Sequence, residues 1–151
     1  MSEGMAGGCQ CGAVRWRLAS RPKATTICHC RMCQKAGGGP FMVFGGVATA
    51  DFSITRGTLS IYRSSEHAER GFCAACGTPL TYRRIGGERV SVSIGGADQP
   101  ELMIPVDQLG VEARSPWTLT INDLPEQRTL DWLKTFGKTD VDSHQHPDHE
   151  T

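Results

Sequence analysis

Residues 72–77 read FCAACG, and this stretch decides how the chain is held together. Its cysteines, Cys73 and Cys76, are followed by a glycine, which takes the positive φ that a tight turn around one metal ion requires. A second pair, Cys9 and Cys11, is expected to lie in an extended strand, where residues two apart face the same side. Together the two pairs supply four thiolates, the ligand set of a closed, structural zinc site.

Three further cysteines, Cys28, Cys30 and Cys33, lie in the stretch ICHCRMCQK, residues 27–35. Three thiolates from one short loop coordinate one zinc ion and leave its fourth position open, as in zinc sites that do chemistry. The seven cysteines therefore divide into four structural ligands and three catalytic ones. We expect the second zinc to be the more labile of the two.

Other divisions of the seven sulfurs are open at this point. Cys28 and Cys33 could join Cys73 and Cys76 in a four-thiolate ribbon. All seven cysteines could serve a structural role, with the triplet partly free. A redox role is a third alternative, because the spacing of Cys30 and Cys33 is also that of a disulfide that cycles.

The charges of the chain balance, since Lys and Arg total 16 and Asp and Glu also total 16. A general nucleic-acid binder would show a basic patch or a high isoelectric point, so we expect no nucleic acid as a partner. The sequence has no apolar run of about 20 residues, the length that spans a bilayer, and no secretory signal at its N-terminus. We therefore expect no membrane partner and a cytoplasmic location, where cysteines stay reduced.

The periodicity of the chain predicts a mainly β fold. Val14, Trp16 and Leu18 alternate with two arginines, which is the period of a half-buried strand. The dipeptide at positions 86–87 is Gly-Gly, which predicts a tight hairpin turn. The strands are predicted at residues 13–18, 41–47, 52–55, 59–63, 70–73, 81–85, 89–94, 102–106 and 117–121.

One helix is predicted at residues 126–136, because Pro125 precedes it and Gly137 follows it. Trp117 and Trp132, near the end of the chain, are expected to cover one face of the sheet. Residues 1–136 are predicted to form a single domain, and the polar residues 137–151 a disordered tail.

Three cysteine blocks carry a resemblance to a known family. They are GCQCGAVR at residues 8–15, CHCRMCQK at residues 28–35 and FCAACGTPL at residues 72–80. Residues 57–65 and Arg70, between the second and third blocks, match as well. In these features the chain resembles the glutathione-dependent formaldehyde-activating (Gfa-like) family, which also includes centromere protein V. The resemblance extends over residues 7–133.

The resemblance implies an Mss4-like (β-tent) fold of antiparallel sheets built around a structural zinc, with a short C-terminal helix. It also implies where two zinc ions bind. The residues implied for the structural zinc are Cys9, Cys11, Cys73 and Cys76, and those for the catalytic zinc are Cys28, Cys30 and Cys33. At Met103 the family often has histidine, a departure that would bear on pocket shape or substrate.

The activity implied by the resemblance is carbon–sulfur bond chemistry, with glutathione as a co-substrate and an aldehyde as the second small molecule. A substrate thiol at the open zinc would be held deprotonated next to the aldehyde carbon. Arg31 and Lys35, beside the triplet, are candidates to neutralise its charge or to hold the carboxylates of a thiol peptide. A non-enzymatic zinc module that binds a protein partner is the alternative function. The chain is expected to be a monomer or a weak homodimer.

Overall fold

Ten short strands and two short α-helices make up the regular structure of the described part of the chain, residues 4–151 of a computed structural model. In chain order the strands are β1 (Met5–Gly8), β2 (Arg15–Leu18), β3 (Thr25–Cys28), β4 (Met42–Ala48), β5 (Phe52–Arg56), β6 (Ser60–Arg63), β7 (Ala68–Phe72), β8 (Pro79–Arg84), β9 (Arg89–Ser93) and β10 (Pro105–Leu109). The helices are α1 (Arg31–Gly37) and α2 (Thr129–Lys134). Short 3-10 segments lie at Thr49–Asp51, Ile94–Gly96, Pro100–Leu102, Val111–Ala113 and Pro116–Asp123.

The strands form two sheets. The smaller sheet has the order β1-β2-β5, and the larger has the order β10-β3-β4-β9-β8-β7-β6. The strand pairs are antiparallel except for β10, which lies parallel to β3 at the edge of the larger sheet. The predicted mainly β fold with a short C-terminal helix is confirmed. The single parallel pair is a departure from the purely antiparallel expectation.

The main hydrophobic core combines residues from both sheets. Trp16 and Leu18 from β2 are fully buried, as the alternation predicted, and Leu80 and Val92 from the larger sheet join them in one cluster. A smaller cluster forms around Cys28, Cys33 and Met42. The core therefore lies apart from the cysteine triplet, which has its own apolar surroundings.

Arg15, on β2, is buried although the alternation predicts that it faces solvent. Its two terminal nitrogens donate to the Asp98 carboxylate at 2.8 and 2.5 Å. The hydrogen bonds and negative charge of Asp98 raise the pKa of the Arg15 guanidinium above its ordinary value, although burial opposes the shift. Paired in this way, a charged side chain is tolerated inside the fold.

Several predicted elements differ from the structure. The strand predicted at residues 102–106 lies instead at Pro105–Leu109, and β1 and β3 were not predicted. The triplet was expected in a loop, but α1 begins directly after Cys30, and the Gln34 side-chain amide fixes the helix by donating to the carbonyls of His29 and Ala113. The predicted strand at residues 117–121 is a 3-10 segment, because Pro116 starts it and the hydroxyl of Thr118 donates back to the carbonyl of Ser115. The Gly-Gly hairpin between β8 and β9 forms as predicted.

The C-terminal part of the domain packs loosely. Of the described residues 111–136, only Leu133 is buried. Trp117 and Trp132 are each about half exposed, so they do not cover a sheet face as expected, and Trp132 stacks edge-on against Phe136 instead. The large apolar side chains exposed in residues 104–136 are Ile104, Val106, Leu109, Val111, Trp117, Leu119, Ile121, Leu124, Leu130, Trp132 and Phe136.

Residues 137–151, which were predicted to be disordered, contain no described helix or strand but do contact the domain. The backbone N–H of His146 donates to the carbonyl of Gln10 at 2.7 Å, and Arg56 donates to the carbonyl of Thr151 at 2.6 Å. The division into a domain and a disordered tail stays a prediction. Among the described helices, none has the length and apolar character to cross a membrane.

Candidate metal centres and an adjoining cavity

Four cysteine sulfurs, two from near the N-terminus and two from the middle of the chain, lie close together. The Sγ atoms of Cys9, Cys11, Cys73 and Cys76 all lie within 4.8 Å of one another. The Sγ of Cys11 is 3.6 Å from that of Cys9 and 3.9 Å from that of Cys73. We call these four residues the quartet. All seven cysteines of the chain are free thiols, so the structure contains no Cys30–Cys33 disulfide.

A turn presents the first pair of the quartet, and not a strand as expected. Strand β1 ends at Gly8, and the backbone N–H of Cys9 donates to the carbonyl of Val14 at 2.9 Å. The N–H of Val14 donates to the Cys9 sulfur at 3.2 Å. Gly12 takes a φ of 77°, which closes the turn. Cys9 and Cys11 therefore converge because the chain folds back on itself.

The second pair uses a closely similar turn. The N–H of Cys73 donates to the carbonyl of Thr78, and the N–H of Gly77 donates to the carbonyl of Cys73. Gly77 has a φ of 78°, the left-handed conformation that the sequence predicted for it. The N–H of Gln10 donates to the Thr78 hydroxyl at 3.0 Å, which joins the two turns.

The pKa values of two quartet thiols, Cys76 and Cys11, shift in opposite directions. Burial opposes ionisation of Cys76, but hydrogen bonds from the hydroxyl and backbone of Thr78 lower the pKa of that thiol to about 6. A backbone hydrogen bond from Ala13 lowers the pKa of Cys11, yet the neighbouring sulfurs, Cys76 first, outweigh it and raise the value to about 12. Sulfurs this close cannot all ionise without a cation between them. A zinc ion would satisfy this donor set, since it binds four thiolates.

The remaining three cysteines form a second group, which we call the trio. The Sγ atoms of Cys28, Cys30 and Cys33 lie within 4.8 Å of one another. Cys28 is the last residue of β3, Cys30 directly precedes α1, and Cys33 lies in its first turn. Because residues three apart share a helix face, the helix brings Cys33 back toward Cys30. The alternative ribbon of Cys28 and Cys33 with the second pair of the quartet does not form.

The trio shows the same divided acidity as the quartet. Burial raises the pKa of the Cys28 thiol to about 12. Burial also opposes ionisation of Cys30, but hydrogen bonds from the backbone and thiol of Cys33 and the thiol of Cys28 prevail, so the pKa of Cys30 is lowered. These residues also fit a thiolate-bound metal ion, with one ligand fewer than the quartet offers.

His29 lies between two of the trio cysteines in sequence but is not part of the group. Its side chain is buried, and its Nε2 is 2.9 Å from the Oε1 of Gln108. The ring packs edge-on against Phe41, with the ring centres 5.4 Å apart. His29 therefore helps to fix β10 and the turn before α1.

A cavity of about 480 Å³ opens beside the trio, and all three trio cysteines line its wall. The quartet lies outside it. The rest of the wall is mixed: Phe44 and Leu109 are apolar, whereas Ser64, Ser65 and Ser91 offer hydroxyl groups. A pocket of this size that combines apolar walls with a few polar groups is typical of small-molecule sites.

Arg70 is the charged residue closest to the trio in this wall. It lies on β7, is 8% exposed, and its Nη2 donates to the Cys33 Sγ at 3.4 Å. Its guanidinium carbon lies 5.1 Å from the centre of the Tyr82 ring, a cation–π contact. Sequence spacing does not indicate a role for Arg70, because its contact with Cys33 joins residues 37 positions apart.

The two cations predicted to neutralise the trio or to hold a thiol peptide lie on α1, and that role stays a prediction. Arg31 and Lys35 are exposed on α1, outside the cavity wall, and the Arg31 guanidinium donates to the side-chain oxygen of Gln34. Within the described chain, the cavity is lined instead by Arg70 and Arg89. Met103, where the departure from the family was expected to affect the pocket, is buried in the main core and not in the cavity wall.

The chain was compared with known families and proteins. A profile described as "Glutathione-dependent formaldehyde-activating enzyme" matches residues 4–112. An uncharacterised lyase of Schizosaccharomyces pombe is 32% identical over 82 residues, which are 54% of this chain and 59% of the relative. A candidate glutathione-dependent formaldehyde-activating enzyme of Halomonas elongata is 34% identical over 82 residues, 49% of this chain and 52% of the relative. The chain thus spans little more than half the length of these relatives.

A solved structure has the same fold. The crystal structure of a Rhodobacter sphaeroides protein matches with a TM-score of 0.56 and 24% sequence identity. The match covers 69% of this chain and 99% of the other. The likeness is one of fold.

Proposed function

The chain belongs to the glutathione-dependent formaldehyde-activating enzyme family, and from this premise we propose that it is a carbon–sulfur lyase or adduct-forming enzyme. Its substrates are a thiol such as glutathione and a small aldehyde. The observation that carries the proposal is the position of the trio: Cys28, Cys30 and Cys33 form part of the wall of a cavity of about 480 Å³, whereas the quartet lies outside it.

The two sulfur groups have different roles in this proposal. The quartet holds a structural zinc that joins the N-terminal turn to the turn after β7. Cys28, Cys30 and Cys33 hold a second zinc, which would supply a position at which a substrate thiol is kept deprotonated. Thiolate ligation suits zinc because Cys sulfur is one of its preferred donors.

The protein groups around the trio manage charge and access. Arg70 donates to the Cys33 sulfur and so offsets part of the negative charge that gathers on three thiolates. Phe44 and Leu109 make part of the cavity wall apolar, and Ser64 and Ser65 offer hydroxyls to a polar substrate. In the adduct-forming direction the thiol sulfur bonds to the aldehyde carbon and the thiol proton ends on the carbonyl oxygen. The lyase direction reverses both changes.

Adduct exchange measured by NMR tests the proposal. Glutathione is mixed with each of several small aldehydes, and the rate of exchange between free aldehyde and adduct is measured with and without the protein. We expect catalysed exchange with at least one aldehyde, and we expect Cys30→Ala to reduce it to the uncatalysed rate while the chain stays folded. Ala36→Ser, an exposed change on α1 outside the cavity wall, is the matched control. Full activity in a folded Cys30→Ala variant would refute the role of the trio.

A second candidate function is a zinc module that binds a protein partner. The observation in its favour is the series of exposed apolar side chains in residues 104–136, since contiguous apolar surface marks interaction sites. Metal counting and thiol titration separate the two candidates. Two zinc ions per chain and measurable glutathione binding support the enzyme, whereas a single zinc and no thiol binding support the module.

A further inference from the structure

We propose that the carbonyl component of the substrate is a 2-oxo acid, of which the aldehyde glyoxylate is the smallest, and that Arg70 binds its carboxylate. The inference rests on the proposed function, because it assigns the second substrate of the same cavity. It starts from an imbalance of charge: Arg70 is 8% exposed, yet no carboxylate of the described residues lies within 4.0 Å of it.

Arg15 provides the comparison within the same chain. It is buried to a similar degree, at 2% exposed, and it is held by both oxygens of Asp98. Buried charges are normally paired in this way, because desolvation of an unpaired charge is costly. Arg70 has the burial of a paired arginine, but within the described chain it contacts the trio through one nitrogen and pairs with no carboxylate. A carboxylate from outside the chain would engage its remaining donors.

The Arg70 guanidinium is held in place, but most of its N–H donors make no hydrogen bond with the described residues. A guanidinium has five N–H donors in a fixed fork. One Nη2 donor goes to the Cys33 sulfur, Nη1 has only the Met42 sulfur at 4.0 Å, and the buried Nε has no partner among the described residues. The Tyr82 ring keeps the group from swinging away. This leaves a fork whose geometry matches the two oxygens of a carboxylate.

The position of Arg70 says which carboxylate it would bind. Because its Nη2 is 3.4 Å from the Cys33 sulfur, the guanidinium would lie near the atoms bonded directly to a substrate sulfur held at the trio. The carboxylates of glutathione are many bonds from its thiol and would lie farther out, where Arg89 is exposed and donates to the Gly46 carbonyl. A carboxylate on the carbonyl carbon would reach Arg70, whereas formaldehyde has no group that could accept from its remaining donors.

The reaction with such an aldehyde needs no further reactant. The thiol adds to the carbonyl carbon of the oxo acid, a carbon–sulfur bond forms, and the thiol proton moves to the carbonyl oxygen. The product carries sulfur, hydroxyl and carboxylate on one carbon. The lyase direction breaks the same bond and returns thiol and oxo acid, and the carboxylate is unchanged throughout.

Titration calorimetry on the zinc-loaded full chain tests the carboxylate preference. The two probes are mercaptoacetate, which has a carboxylate on the carbon next to sulfur, and 2-mercaptoethanol, which is similar in size but neutral. We expect mercaptoacetate to bind about tenfold tighter, as a charge-assisted fork interaction predicts. Arg70→Gln should bring the ratio close to one, and Arg70→Lys should reduce it. Arg84→Gln, at an exposed position outside the cavity wall, should leave it unchanged.

The outcomes separate this proposal from the proposed function. Equal binding of the two probes by the unaltered protein overturns the 2-oxo acid and leaves thiol binding intact, whereas no binding of either overturns both. A preference that persists in Arg70→Gln also overturns the role of Arg70. If Arg70→Gln does not fold, the ratio of the two affinities in the unaltered protein and in Arg70→Lys tests the role of Arg70.

The source of the carboxylate needs its own measurement. Glutathione is mixed with glyoxylate or with neutral glycolaldehyde, and NMR records how fast each adduct exchanges in the presence of the protein. We expect acceleration for glyoxylate at least about tenfold greater than for glycolaldehyde. Equal acceleration, even with tight mercaptoacetate binding, would show that the acid belongs to the thiol and would overturn the proposal.

Discussion

Replacing Asp98 with Asn tests whether a buried charge in this fold needs a charged partner. Asp98 holds the buried Arg15 with two hydrogen bonds, and its side chain is 11% exposed against 3% for that of Arg15. The substitution keeps the shape and removes the charge, which leaves Arg15 buried with only Glu150, at 3.5 Å and 46% exposed. Removing one partner of a buried pair costs about 3–5 kcal/mol, which is a large share of the about 5–15 kcal/mol that a domain has.

Urea unfolding followed by tryptophan fluorescence measures this cost. Trp16 is fully buried beside Arg15 in β2, so its emission reports global unfolding. With a slope of about 2 kcal/mol per molar urea, the midpoint should fall by about 2 M. The double variant Arg15→Met/Asp98→Asn should cost less than the sum of its single changes, because neither charge is left unpaired. Asp107→Asn, at an exposed position on β10, should change stability by about 0.5 kcal/mol or less.

A small effect would refute the reasoning. If Asp98→Asn lowers the free energy of unfolding by less than about 1 kcal/mol, then Arg15 is hydrated or re-paired after the change, and burial does not force pairing in this fold. The inference about Arg70 would lose its internal comparison at the same time. An effect that disappears in high salt would point the same way, since buried pairs are screened little.

Three further predictions concern the sulfur groups. Cys76→Ala should abolish soluble protein, because zinc contributes about 10–16 kcal/mol in small zinc-folded peptides; a folded Cys76→Ala chain that keeps its metal would reverse the assignment of quartet and trio. Metal analysis should find two zinc ions per chain, of which a chelator removes one readily; loss of both at one rate would contradict the division. Gly77→Ala should cost about 1–2 kcal/mol, from the positive φ alone, since no atom lies within 4 Å of the added methyl; thermal unfolding measures this, and no change in midpoint would argue against strain in the turn.

The sulfur groups could be predicted from the sequence because ligand spacing is a local property. Two cysteines that lie two or three residues apart, followed by a glycine at position 12 or 77, indicate a metal-binding turn whatever the rest of the chain does. The predicted conformation of the first pair was wrong, since Cys9 and Cys11 converge through a turn and not along a strand. A turn and a strand can present the same two sulfurs, so the error left the group intact.

The role of Arg70 could not be read from spacing. Its contact with Cys33 depends on the pairing of β7 with β8, which supplies Tyr82, and on α1, which turns Cys33 inward. Arg31 and Lys35 are neighbours of the trio cysteines in sequence, but the helix turns both side chains toward solvent. At the C-terminal end, the apolar alternation around Trp117 resembled a strand, but the proline and hydroxyl groups there favour 3-10 turns.

Strand β7 links the two sulfur groups mechanically. Arg70 lies in its middle, and the chain leaves its end directly into Cys73. The backbone that aims the guanidinium at the cavity is thus anchored at one end by the quartet. In the proposed function, zinc bound by the quartet would fix the end of the strand that carries Arg70. We therefore expect the quartet to bind its ion before the trio does.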